Sequence, residues 1–262
     1  MSAIILESSL VHYEALGRGK PLLFLHDWLG SWRYWVPVMV EMSSTYRAYA
    51  LDFWGFGDSD KVATRYSVDG YVTQVEMFMD QLGLARVPVI GHGLGGLVAL
   101  YFAYAHPERV EQVMTVSVPV SSEHFARSLT SYGGGDNPAR IILGRRLKAY
   151  EEVDIEAAKT DGAAVVESVR SALRQELDAI LETLDLPVLL VSGEDDPIIQ
   201  TPEDGLLAQF DYNVYGYAFE GVQHYPMLEE TSKFTRLLRD FLTYGDDWDK
   251  INVKDEWKRR MR

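Results

Sequence analysis

Apolar residues recur along this chain in two rhythms that alternate with each other. Short runs rich in Val, Leu, Ile and aromatics at 11–16, 21–26, 46–51, 87–92, 110–118, 186–191 and 214–219 predict strands. Helical spacing predicts helices over 32–43 and 67–82, and in the second Tyr71, Val75, Phe78, Met79 and Leu82 share one face. Residues 94–105 are apolar on every side, which predicts a helix packed inside and stopped by His106-Pro107. Phe234, Leu237, Leu238, Phe241 and Leu242, at i, i+3, i+4, i+7, i+8, predict a last amphipathic helix. Gly17-Arg18-Gly19 reads as a hairpin turn between the first two strands. The alternation predicts an α/β protein: a mostly parallel, twisted sheet of about eight strands flanked by helices.

The strand rhythm stops after Val118 for about sixty residues, where helix-like, charge-rich sequence surrounds a Gly133-Gly134-Gly135 joint. The expected organisation is a core over residues 1–120, a helical cap inserted after the sixth strand over 121–184, the rest of the core over 185–244, and a tail over 245–262. That tail, with Trp248, Trp257 and Lys258-Arg259-Arg260, reads as a surface extension.

Composition narrows the partners. Thirty-nine acidic against 25 basic residues give a net charge of −14, which repels nucleic-acid phosphates and anionic membranes, so neither is an expected partner. A small, largely apolar or ester-like molecule is the easier ligand. With no cysteine, disulfides, thiolate metal sites and a Cys nucleophile are excluded. No apolar run approaches the roughly 20 residues of a spanning helix, and Met1 to Leu10 lacks the pattern of a signal peptide, so the expected compartment is the cytoplasm. No His pair or carboxylate cluster stands at ligand spacing, and neither a metal nor a cofactor is expected.

The chemistry concentrates in five segments. Val89-Ile90-Gly91-His92-Gly93-Leu94-Gly95-Gly96 has the form of a nucleophile elbow, the sharp strand-to-helix turn G-x-S-x-G, with glycine in place of the serine. No Lys-Ser/Thr pair follows, as a phosphate-binding loop would require. Leu23-Phe24-Leu25-His26-Asp27-Trp28-Leu29-Gly30 and Asp52-Phe53-Trp54-Gly55-Phe56-Gly57-Asp58-Ser59 each follow a predicted strand. Gly193-Glu194-Asp195-Asp196-Pro197-Ile198 and Gly221-Val222-Gln223-His224-Tyr225-Pro226 place a carboxylate and then a histidine beyond successive core strands. The order is elbow, acid, base.

This set resembles the α/β-hydrolase fold family over residues 10 to 120 and 184 to 244. The resemblance implies that Gly93 occupies the nucleophile position, that Asp196 is the triad acid in preference to its neighbour Asp195, and that His224 is the base. It further implies an oxyanion hole from the backbone N–H groups of Trp28 and Leu94. The 23–30 segment is similar to the family's His-Gly oxyanion loop, but Asp27 stands where glycine is usual. His26 is expected to brace that loop and His92 to point away from the pocket. His106 reads as a helix-end residue, and His12 and His124, which carry no motif, as surface or cap residues. Ser117 and Ser121 are the nearby hydroxyls that a displaced nucleophile would use.

Glycine cannot attack a carbonyl, so ordinary serine-esterase turnover is expected to be absent or very weak. Three readings stay open. One is a binding protein that keeps an apolar small-molecule pocket. The second is a hydrolase, lyase or oxygenase-type enzyme using His224 with Asp196 as general base and no covalent nucleophile. The third is a carboxylic-ester hydrolase with its serine replaced by engineering.

Overall fold

The computed structural model describes residues 2–175, 177–201 and 213–251. Eight strands form one sheet in the order β1-β2-β4-β3-β5-β6-β7-β8. They are β1 Ser2–Leu6, β2 Ser9–Gly17, β3 Lys20–Leu25, β4 Tyr46–Leu51, β5 Val87–His92, β6 Val110–Val116, β7 Val188–Gly193 and β8 Val214–Phe219. β1 and β2 pair antiparallel, β2 joins β4 antiparallel, and every later pairing is parallel. Helices α1 Val36–Met42, α2 Val68–Gln81 and α3 Leu94–Ala105 connect the parallel strands.

Three local expectations are corrected. Gly17 to Gly19 is not a hairpin between paired strands, because β4 lies between β2 and β3 in the sheet; Gly17 (φ +88) and Gly19 (φ +112) instead turn the chain closely past Ser43–Tyr46, where a Cβ would meet backbone. The predicted helix over 32–43 is two elements: a 3-10 turn Trp32–Trp35 capped by the Ser31 hydroxyl, then α1 with Pro37 in its first turn. β6 ends at Val116, since Ser117 takes φ +47 and leaves the ladder. β1 had no sequence signal of its own. Its Ser2–Leu6 run alternates partly and fully exposed positions before Leu6, the pattern of an edge strand.

The central strands explain why the functional turns are well held. All six residues of β5 and of β7 are buried, and nine of the twelve residues of α3 are buried beside them. Side chains covered on both faces of a parallel sheet each contribute about 1.5–3 kcal/mol relative to exposure. Ser67 starts α2 by accepting the Gly70 N–H, a cap that stabilises by about 1 kcal/mol.

Between β6 and β7 the chain is helical, with α-helices at Arg127–Thr130, Pro138–Leu143, Glu151–Ala157, Gly162–Ala172 and Leu177–Leu181. This interval reaches the β-strand loops through Trp28 Nε1 donating to Ser168 Oγ (3.0 Å), Ser31 Oγ to Glu156 Oε2 (3.0 Å) and Tyr66 Oη to Asp161 Oδ2 (2.9 Å). After the last helix, Thr231–Tyr244, Trp248 stacks on Tyr215 (4.9 Å, 20°) and Ile251 is buried, so the start of the tail docks on the fold. Trp257 and Lys258-Arg259-Arg260 lie outside the described residues. Among the described residues no helix is long and apolar enough to cross a membrane.

Candidate active site

The elbow is present in backbone geometry. β5 ends at His92, α3 begins at Leu94, and Gly93 between them has φ +47, ψ −109. Close packing dictates the flanking glycines: a Cβ on Gly91 would lie 2.1 Å from Gly95 O, and one on Gly95 would lie 2.4 Å from Leu25 O. Gly93 is different. A Cβ there would lie 1.8 Å from Asp27 Oδ1, a side-chain atom. The space that an elbow side chain would fill is taken by the carboxylate of Asp27.

Asp27 is delivered by the loop after β3, which is braced on both sides. His26 Nε2 accepts the Phe53 N–H (2.9 Å), which leaves Nδ1 to donate to Asp27 O (2.7 Å); burial also lowers the His26 pKa and keeps the ring neutral. His26 therefore holds the loop against the turn after β4. The Asp27 N–H donates to Tyr34 Oη (2.7 Å), and Tyr34 Oη is 3.0 Å from His92 Nδ1.

The Asp27 carboxylate makes three further contacts. Oδ1 accepts the Leu94 N–H (3.2 Å), Oδ2 accepts the Leu29 N–H (3.3 Å), and Oδ2 lies 3.0 Å from His224 Nε2. On the other side of that imidazole, His224 Nδ1 is 2.8 Å from Asp196 Oδ2 and 3.1 Å from Oδ1. Asp196 is fixed by the N–H groups of Ile198 (2.8 Å) and Ile199 (3.1 Å) on Oδ1, whereas Asp195 is exposed. His224 thus sits between two carboxylates, one on each ring nitrogen, and all three side chains are buried.

Charge follows from this arrangement. Burial opposes an imidazolium at His224, but Asp196 and Asp27 outweigh it and raise its pKa to about 10. Burial likewise opposes ionisation of Asp27, yet the hydrogen bond and charge of His224 hold it down at about 2, with the Trp28 backbone amide also favouring the anion. Near neutral pH the cluster is a carboxylate–imidazolium–carboxylate. His92, buried and beside the His224 charge, is lowered to about 3 and is neutral. It does not point away: its ring lies 4.5 Å from that of His224 and edge-on to Tyr225 (5.2 Å, 73°).

Of the residues singled out in the sequence, Gly93, Leu94, Asp196 and His224 come together, and Trp28 lies on the adjoining loop with its indole turned to Ser168. Leu94 and Leu29 each donate a backbone N–H to the Asp27 carboxylate oxygens. Ser121 is engaged with His124 Nδ1 (2.9 Å), and Ser117 lies at the end of β6 on the Asp196 side. The residue that sequence reasoning under-read is Asp27. Its signal was present: the oxyanion loop and the elbow each depart from the family pattern at one position, and those two positions meet.

Spacing along the sequence gave no metal cluster. In the fold, the ligand-type atoms of Asp27, His92 and His224 lie within 4.8 Å of one another, as do those of His12, Asp52 and Asp58. In the first set Asp27 already holds His224 Nε2, so an ion there would have to displace the proton of that pair.

A family model described as alpha/beta hydrolase fold matches residues 20–141. A soluble epoxide hydrolase from Corynebacterium sp. (strain C12) is 30% identical over 151 residues, 53% of this chain and 53% of its own length. The chain therefore spans about half the length of that relative. A 2-hydroxymuconate semialdehyde hydrolase from Pseudomonas sp. (strain CF600) is 26% identical over 253 residues, 88% of this chain and 89% of that one. Among solved structures, an N-acyl homoserine lactonase bearing a serine-to-glycine mutation, complexed with N-hexanoyl homoserine lactone, superposes with TM-score 0.78 at 22% identity, covering 93% of this chain and 97% of that one. The chain has the α/β-hydrolase fold. The two curated relatives named above are hydrolases.

Proposed function

We propose that this protein acts on a small, largely apolar molecule within a hydrolase scaffold and does not run the serine-esterase route. One observation carries the reading: the Asp27 carboxylate stands 1.8 Å from where a Cβ at position 93 would be, so the missing serine is replaced in space as well as in sequence. The relatives' names, an epoxide hydrolase and a semialdehyde hydrolase among them, support the small-molecule class. Asp27, Gly93 and His224 are buried, and Trp28 on the adjoining loop bonds Ser168 in the helical interval between β6 and β7, read here as the cap.

A general-base role for the resting His224–Asp196 pair is disfavoured by the same geometry. His224 Nε2 faces Asp27 at 3.0 Å, and the ring carries a proton at neutral pH. A base must be unprotonated when it is needed.

The test is hydrolysis of short p-nitrophenyl esters and lactones. The unmodified protein is expected to show background rates only. Gly93→Ser alone is expected to gain nothing, because the new side chain meets Asp27; Asp27→Gly with Gly93→Ser frees the elbow, the Leu94 amide and His224 together, and is expected to gain at least about 10³-fold. Saturable ester turnover by the unmodified protein that His224→Ala abolishes would sink the reading.

A further inference from the structure

We propose that Asp27 is itself the nucleophile of this site, a carboxylate supplied by the β3 loop to the position the elbow residue leaves vacant, and that it opens an epoxide ring. The inference rests on the reading that the serine route is absent, and adds to it an attacking atom and a substrate class.

Three placements carry it. The carboxylate overlaps the volume from which an elbow side chain attacks, since Oδ1 lies 1.8 Å from a Cβ built on Gly93. Oδ1 accepts the N–H of Leu94 (3.2 Å), the first amide of α3, which is the donor the fold aims at charge developing beside the elbow. Oδ2 faces His224 Nε2 at 3.0 Å, and Asp196 holds the far side of that ring at 2.8 Å. Nucleophile, charge-stabilising amide, proton carrier and orienting acid are all present in one buried cluster. Only the point of attachment of the nucleophile differs from an elbow-borne side chain.

Carboxylate chemistry selects the electrophile. Attack on an ester carbonyl would give a mixed anhydride whose tetrahedral precursor expels the carboxylate far more readily than the alkoxide, so it returns to reactants. Attack on a saturated carbon has no such return when ring strain is released. An epoxide also needs a proton for the oxygen that departs, and an imidazolium stands beside the attacking oxygen; a halide would need none.

The step balances without an external reagent other than water. Asp27 Oδ2 bonds to a ring carbon, the carbon–oxygen bond of the epoxide breaks, and the alkoxide takes the proton from His224 Nε2, leaving a hydroxyalkyl ester and a neutral imidazole. His224 then takes a proton from water as the water oxygen adds to Asp27 Cγ, with the negative charge forming on Oδ1 against the Leu94 N–H. Collapse breaks the Cγ–Oδ2 bond. The carboxyl proton passes to the departing alkoxide, Asp27 and His224 return to their starting charges, and a vicinal diol leaves. The diol carries the old Oδ2, and Asp27 keeps the oxygen from water.

That exchange of oxygen is the test. The full chain is incubated with styrene oxide, trans-stilbene oxide and 1,2-epoxyhexane in H₂¹⁸O, and the peptide containing Asp27 is weighed after digestion, with the diol analysed in parallel. The expected result is diol formation together with ¹⁸O in Asp27, and no label in the diol of the first turnover; Asp27→Asn, checked by its melting curve, loses diol formation at least about a thousand-fold. If Asp27→Asn does not fold, the labelling of the unmodified protein decides alone. Label entering the diol directly in the first turnover, or no diol from any of the three epoxides, overturns the proposal. Neither of those outcomes touches the serine-route reading, which stands or falls with the p-nitrophenyl ester assay.

Discussion

Two buried histidines in this molecule are paired with aspartates, and they do different work. His12, on β2, places Nδ1 2.9 Å from Asp52 Oδ2; Asp52 also accepts the N–H groups of Trp32 (2.9 Å) and Asp58 (3.0 Å), and a Cβ on Gly57 would collide with its carboxylate. That pair fastens the turn after β4 to the strand beside it. The second nitrogen of His12 has only Glu14, at 3.5 Å and partly exposed, for a neighbour. His224, by contrast, has a buried carboxylate within 3.0 Å on each nitrogen, and one of those carboxylates stands in the nucleophile's place. A histidine with one buried acid holds a loop; a histidine between two buried acids holds a proton at the elbow.

The comparison can be broken in several ways. The largest expected effect is the gain of at least about 10³ in ester hydrolysis for Asp27→Gly with Gly93→Ser over either single change, measured by p-nitrophenol release. Next, Asp52→Asn is expected to destabilise by about 3 kcal/mol in denaturant melts, because it strips the partner from a buried histidine and weakens two backbone bonds. An Asp52→Asn protein as stable as the parent would show that the His12 pair is not a fastening.

A third prediction concerns pH. His224 has a folded pKa raised to about 10, so the stability it contributes is complete below its unfolded value near 6.5 and is lost as pH rises from there through about 10. Asp27 is depressed to about 2, so its share is present above its unfolded value near 3.9 and is lost as pH falls through that range towards 2. Thermal melts between pH 6 and pH 10 should therefore slope downward, and His224→Gln should flatten the slope; an unchanged slope would remove the double ion pair from the account. The smallest effect expected is that of Trp28→Phe, which removes the bond from Nε1 to Ser168 together with part of a fully buried ring and costs about 2 kcal/mol in the same melts.

Much of this is legible in the sequence. The elbow turn and Asp196 stand out as candidates because each follows a continuous apolar run, β5 and β7 being buried at every position, and His224 because it follows the next strand, β8. Edges and turns were less legible. β1 carries no continuous run, and the Gly17–Gly19 turn looked like a hairpin because strand adjacency is not written in local sequence when β4, from 29 residues after Gly17, inserts between β2 and β3. His92 was read as turned away, whereas its ring packs on His224, because alternation along a strand fixes a face but not what packs on that face.

By itself the sequence determined the scaffold, since periodicity and glycine placement leave few ways to fold alternating strands and helices, and it determined that position 93 lacks an attacking atom. It also held Asp27, as an isolated departure in a loop 66 residues earlier. Only the tertiary structure decided what that departure means. β3 and β5 are neighbours in the sheet, so the loop leaving one and the turn leaving the other open at the same end, and a carboxylate from the first fills the gap left by the glycine of the second. Side chains distant in sequence share one site because parallel pairing aligns strand ends, and that pairing is a property of the whole sheet.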